Sequence, residues 1–125
     1  MSRRAPPRRS EPPARDQEIR PMTRREALED AVRILAPRIP AHEFEAVVDH
    51  ALVSPGLRGA LPERGAWLSM VAYIRHRLTD YDSLLEEGYD QDSARFFVLD
   101  NINAVLEEWG SPRRVSGEEA TGGES

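Results

Sequence analysis

The sequence holds no cysteine and no lysine, few aromatic residues (6%), and no apolar run approaching a membrane span. Without cysteine there are no disulfides, no thiolate zinc sites and no cysteine nucleophile. A membrane-spanning helix needs roughly 18 to 20 consecutive apolar residues, and every apolar run here is far shorter. Arg3 and Arg4 open the chain, but a proline-rich polar stretch follows where a secretory signal would need an apolar centre. A cytoplasmic location without membrane insertion is the expectation. Every one of the 17 basic residues is arginine. The bias is read as GC-rich codon usage, which also favours Ala, Pro and Gly, in preference to selection for bidentate phosphate or carboxylate contacts.

What is present divides into three parts. Residues 1–22 carry six Arg against three acids, a balance of 6 − 3 = +3, whereas residues 23–110 carry nine Arg against sixteen acids, 9 − 16 = −7. The first part is proline- and arginine-rich, with Ile19 its one large aliphatic apart from Met1 and Met22. Such a segment buries too little surface to offset its ordering entropy, so a disordered tail is expected. Residues 111–125, rich in Gly, Ser and Glu, read as a second disordered tail. An acidic middle part argues against a duplex-DNA reader, which needs a basic face.

Residues 23–110 show helical periodicity throughout and no strand-like alternation. Thr23 and Glu26 have capping-box spacing, Leu28, Ala31, Val32 and Leu35 form a stripe, and Pro37 stops that helix. A second helix opens near Pro40, with Phe44, Val47, Val48, Ala51 and Leu52 as its stripe, and ends at Ser54-Pro55-Gly56. Pro62 starts a third, with Trp67, Met70, Val71, Ile74 and Leu78 on one face. A short helix carries Leu84 and Leu85 and ends at Gly88. Asp90 then caps a long last helix with Ala94, Phe97, Val98, Ile102, Val105, Leu106 and Trp109 inward, closed by Gly110 and Pro112. The expected fold is an all-α, compact bundle of about five helices, orthogonal or irregular, with Trp67, Trp109, Phe44 and Phe97 in its core.

The most unusual stretch is Arg75-His76-Arg77-Leu78-Thr79-Asp80-Tyr81-Asp82. A helix–helix junction accounts for most of it. Arg75 and Arg77 would stand in the last turn of one helix, where cations are favoured, and Thr79 would cap the next, with Asp80 and Asp82 in its first turn. The junction leaves His76 and Tyr81 unexplained. At 100° per residue His76 points almost opposite the core face. Tyr81, beyond the end of that helix, is read as outward too.

Arg75-His76-x-x-Thr79-Asp80-Tyr81-Asp82-x-Leu84-Leu85, then Ala94-Arg95, then Val105-Leu106-x-x-Trp109 resembles the signature of the domain-of-unknown-function family numbered 2293, of bacteria and fungi. The resemblance runs from about Leu28 to Trp109 and is most specific from Tyr73 onward. It carries no activity with it. It implies that Arg75, His76, Thr79, Tyr81 and Asp82 form a shared pattern, and it strengthens a functional reading of His76 without saying which.

Three functions compete. The first is an interaction or adaptor module that uses Arg75, His76, Arg77, Thr79, Tyr81 and Asp82 to bind a protein partner; Tyr and Arg are residue types favoured at interface centres. The second is weak, sequence-independent nucleic-acid association through Arg3, Arg4, Arg8 and Arg9, helped by Arg15 and Arg20 and opposed by the acidic middle part. The third is an enzyme with His76 as acid or base, oriented by Asp80 or Asp82, with Tyr81 as an acid. Its geometry looks unfavourable if the helix breaks at Leu78. His42, Glu45 and Asp49 share a helix face at metal-ligand spacing, but charged exposed faces look like this by default, so no metal and no cofactor is expected. His50 lies opposite the apolar stripe of its helix and reads as surface. A homodimer is compatible with so small a domain.

Overall fold

Thr23 begins the bundle as its spacing predicts. Its Oγ1 accepts from the Glu26 amide (3.1 Å), and Glu26 Oε1 accepts from the Thr23 amide (2.9 Å). These reciprocal bonds satisfy two amides that a helix start leaves open. The computed structural model describes residues 21–118. Its order is α1 (Arg24–Leu35), α2 (Ala41–Val53), α3 (Pro62–Leu78), α4 (Tyr81–Glu86) and α5 (Gln91–Glu108). Among the described residues there is no strand, and no helix is long and apolar enough to cross a membrane.

The helix ends follow from local chemistry. Pro62 occupies the first turn of α3, where its missing N–H is not needed. Asp90 Oδ1 accepts from the Ser93 amide (2.7 Å) and opens α5. The ends of α4 and α5 share one design. After α4, the Tyr89 amide donates to Leu84 O and the Gly88 amide to Leu85 O; after α5, Ser111 donates to Leu106 O and Gly110 to Glu107 O. Gly88 (φ 106°) and Gly110 (φ 81°) supply the left-handed residue this closure requires.

α3 is the central helix. Gly65, Ala66, Trp67, Ser69, Met70, Val71, Ile74 and Arg75 are all buried, so it is covered on more than one side. It packs against α1, α2 and α5, and the short α4 bridges α3 and α5. Leu28 and Val32 of α1, Val47, Val48 and Ala51 of α2, and Ala94, Val98, Ile102 and Leu106 of α5 complete the core. The buried Ser69 hydroxyl donates to Val47 O (2.7 Å), which satisfies the polar group placed against α2. Trp67 and Trp109 are buried, as expected, and Phe44 is half-buried against the core.

Three expectations change. Phe97 is 56% exposed instead of buried. The buried positions of α5 recur every fourth residue, and each such step advances about 40° around a helix, so the stripe drifts until its centre lies about 120° from Phe97. Leu78, in the last residue of α3, is 40% exposed because the bundle ends beneath it. The boundary at 110 also moves outward. Ser111 and Val115 are buried, Asn103 brackets Val115 by donating to its carbonyl (3.0 Å) and accepting from its amide (2.8 Å), and Arg113 stacks 4.0 Å above the Trp67 ring. Val115 is thus part of the core. Residues 1–20 and 119–125 lie outside the described residues, and with them Arg3, Arg4, Arg8, Arg9, Arg15 and Arg20.

Candidate functional site

The break between α3 and α4 brings together residues that one continuous helix would hold apart. α3 ends at Leu78, with Thr79 as its cap. The Thr79 hydroxyl donates to Arg75 O (2.5 Å) and accepts from the Tyr81 amide (3.2 Å), so one side chain ties the last turn of α3 to the start of α4. Thr79 was expected to cap α4 alone; Asp80 holds the capping position there, without a side-chain bond of its own.

The turn carries His76 against Asp82, with Nδ1 2.8 Å from Oδ1. An ionised carboxylate only accepts, so Nδ1 carries the hydrogen and Nε2 is the nitrogen left for exchange with an outside group. The predicted obstacle to this pairing is therefore overturned: the break at Leu78 makes the contact, and it selects Asp82 over Asp80. Both side chains are about half exposed, at 49% and 59%. Water competes for such a pair, which limits its worth to the usual small contribution of a surface pair.

Tyr81 is the second correction. It is 2% exposed, not outward. As the first residue of α4 it lays its ring against the last turn of α3. Its ring meets the His76 ring edge-on (centroids 5.2 Å apart, 84° between planes), and the Arg75 guanidinium lies 5.6 Å from its centroid. Arg75 itself is 5% exposed, against the expectation of an outward residue. Burying an arginine over an aromatic face is a favourable way to desolvate it. Arg77 remains exposed, with its guanidinium 5.9 Å from the Tyr73 ring centroid. Of the six residues singled out, the fold therefore exposes His76, Arg77 and Asp82, and uses Arg75, Thr79 and Tyr81 as the brace beneath them.

Two surface features went unread in the sequence. The first is aromatic: Tyr89 (44%), Phe96 (61%) and Phe97 (56%) are exposed together, Tyr89 edge-on to Phe97 at 5.2 Å and Phe96 6.5 Å from Phe97. The second is a cleft of about 670 Å³ bounded by the end of α2, the following loop, one face of α3, and α5. Arg64, Arg75 and Arg95 line it, with His50 at the α2 rim and Leu68, Val71 and Ala72 as wall. Among the described residues, no Asp or Glu lines it. One signal was available: Arg64 and Arg75 are eleven residues apart, almost exactly three helical turns, and so share a face. Arg95 and Val115 reach the cleft only through the fold.

Arg25 faces Asp49 (2.5 Å), Glu29 (3.7 Å) and Glu45 (3.9 Å). The hydrogen bond to Asp49 is the main reason its guanidinium holds its proton more tightly than usual. Glu45 and Asp49 of the weighed metal trio thus turn toward Arg25, while His42 is exposed. Among the described residues, no group of three or more His, Asp or Glu side chains is arranged to hold a metal.

No curated protein and no solved structure matches the chain. A family model described as "Uncharacterized conserved protein (DUF2293)" matches residues 31–110, a span that runs from the middle of α1 past the end of α5 and includes the whole α3–α4 junction; the chain belongs to that family.

Proposed function

We propose that this protein is a cytoplasmic interaction module, a small helical adaptor that binds a partner protein through the end of the bundle formed by the last turn of α3, α4 and the first half of α5. One observation carries the reading: the exposed aromatic group Tyr89, Phe96 and Phe97. The chain has eight aromatic residues (two Trp, three Tyr, three Phe), and three of them stand together in water instead of in the core. Clustered exposed aromatics are unfavourable unless a partner covers them, and such residues anchor interfaces. His76, Arg77 and Asp82 belong to the same stretch of chain and supply polar groups for a rim.

The test is a nuclease-treated capture from the native host. It compares the full chain with a Phe96→Ser/Phe97→Ser variant and a His76→Ala/Asp82→Ala variant, each checked for helicity, with sedimentation of the purified protein alongside. A protein held by the wild type and lost with the aromatic variant is the expected result. Self-association lost with the same variant makes the partner a second copy. Identical captures by a monomeric wild type and its variants would refute the proposal.

A second reading is favoured by the 2.8 Å His76–Asp82 contact, which is how a carboxylate orients an imidazole for proton transfer. It predicts that Asp82→Asn reduces any activity found while leaving the fold intact. An activity insensitive to both His76→Ala and Asp82→Asn would exclude it.

A further inference from the structure

The exposed aromatic group stands in a strongly acidic stretch. From Asp80 to Asp100 seven acids face one basic residue, 1 − 7 = −6, and all seven acids are exposed. The one basic residue, Arg95, lines the cleft on the α3 side. On α5, Asp92 and Asp100 stand four residues before and four after Phe96, a spacing that puts both on its side of the helix. The face therefore runs carboxylate, rings, carboxylate, with the two carboxylates about 12 Å apart along the helix axis.

That pattern narrows what can cover the rings. A second copy placed face to face would set these acids against their own counterparts, because a two-fold contact pairs a patch with itself. Nucleic acid would bring phosphates to the same carboxylates. The face suits a segment that carries cations at both ends and flat apolar groups between them. Proline-rich segments dock on clustered aromatic rings in this way, and guanidinium groups are attracted to aromatic faces.

The chain contains such a segment at Arg3-Arg4-Ala5-Pro6-Pro7-Arg8-Arg9. In polyproline geometry, at about 3.1 Å per residue, Arg4 and Arg8 are about 12 Å apart, which matches Asp92 and Asp100. They then differ by a third of a turn, within the swing of a long arginine side chain. The segment also has the reach. Arg24 donates to Leu57 O (2.9 Å) and Ala60 O (2.7 Å), just before Pro62, so the chain enters the bundle at the start of α3. The aromatic group follows α4, beyond the other end of α3, whose 17 residues span about 25 Å. Arg8 precedes Pro21 by thirteen residues, about 40 Å in the same extended geometry.

We propose that residues 3–9 of this chain fold back in cis onto the face formed by Tyr89, Phe96 and Phe97, with Pro6 and Pro7 on the rings and Arg4 and Arg8 at Asp92 and Asp100, and that a partner must displace them. The proposal rests on the interaction-module reading, since it makes the tail the regulator of that same face. Tethering holds the segment at an effective concentration of about millimolar, so a weak contact is enough to occupy the face and still yields to a tighter partner.

The absence of cysteine gives a clean probe. Ser10→Cys in the full chain accepts a single nitroxide label, and line broadening of isotope-labelled amides then reports what that position approaches. Broadening centred on residues 89–100 is expected, with little at Glu45 and Asp49 on α2. It should weaken at high salt and be lost with Arg4→Glu/Arg8→Glu and with Phe96→Ser/Phe97→Ser, while the other amide signals keep their positions and so report a folded bundle. Nitroxide-labelled chain mixed with isotope-labelled chain lacking the nitroxide should show no such broadening. In capture from the native host, Arg4→Glu/Arg8→Glu should hold more partner than wild type. Broadening spread evenly over the bundle, indifference to both double variants, or equal broadening in the mixed sample would each overturn the proposal. Absent broadening, with capture still dependent on Phe96 and Phe97, would end the tail contact and spare the interaction module. The expected broadening, with capture indifferent to those two residues, would end the interaction-module reading and uphold the tail contact.

Discussion

Arg25 and Arg64 occupy opposite electrostatic surroundings on one small bundle. Arg25, on the α1–α2 face, meets Asp49, Glu29 and Glu45. Arg64, at the end of the cleft, shares its concavity with Arg75 and Arg95, and among the described residues no acid lines it. Acids outnumber arginines in the bundle, so random placement would surround every arginine with carboxylates. The Arg25 face looks like that. A matched face holds two helices together by weak, screened contacts. Arg75 links the cleft to the α3–α4 junction, since it lines the one and lies over Tyr81 of the other.

The sharpest way to break this division is through the brace that positions Arg75. Tyr81→Ala removes a fully buried ring and should destabilise the bundle by about 3–5 kcal/mol in urea unfolding. Arg64→Ala, at an exposed position, should stay within about 0.5 kcal/mol of wild type. Equal effects would show that the cleft residues are structural and that the division is false.

A smaller effect is expected at α5. Gly110→Ala forces a side chain into the left-handed region and brings a Cβ to 3.1 Å from the Arg38 guanidinium, so a loss of about 1–2 kcal/mol should appear in the same assay. Thr79→Val removes the hydroxyl that bridges α3 and α4, with a loss of about 1 kcal/mol. Both sharpen the comparison, because neither residue belongs to the Arg25 face.

The matched side has the smallest effects and a distinct signature. Asp49→Ala should lower Tm slightly at low salt and not at high salt, because the Arg25 cluster is exposed. The Asp90 cap gives a pH signature. Hydrogen bonding, first from the Ser93 amide and then from its side chain, holds the Asp90 carboxyl below its ordinary value of 3.8. A folded-state value below the unfolded one means its stabilisation is complete above about pH 4 and fades as pH falls through the folded value. Asp90→Asn should flatten the acid limb of stability against pH; an unchanged limb would assign acid sensitivity to other carboxylates.

Helix starts and stops were legible because each depends on a few neighbouring residues. Thr23 with Glu26, Pro62, Asp90, and the glycines at 88 and 110 all act within a turn of where they stand. Tyr81 was misread although it stands seven residues after the buried Ile74, a spacing that returns to within about 20° of the same helical face. Phe97 was misread because a stripe advancing every fourth residue rotates away from its starting face. Val115 looked like tail, since nothing local shows that Asn103 will bracket it. The cleft was hidden for the same reason: Arg64 and Arg75 share a helical face, but Arg95 and Val115 come from chain far away in sequence. Of the junction, the pairing of His76 with an acid was readable, and its dependence on the helix break was not.

The most direct measurement is the nuclease-treated capture from the native host with the full chain and its Phe96→Ser/Phe97→Ser variant, beside sedimentation of both. The account predicts a partner, or self-association, that the wild type holds and the variant loses. Identical captures by a monomeric wild type and a folded variant would contradict it.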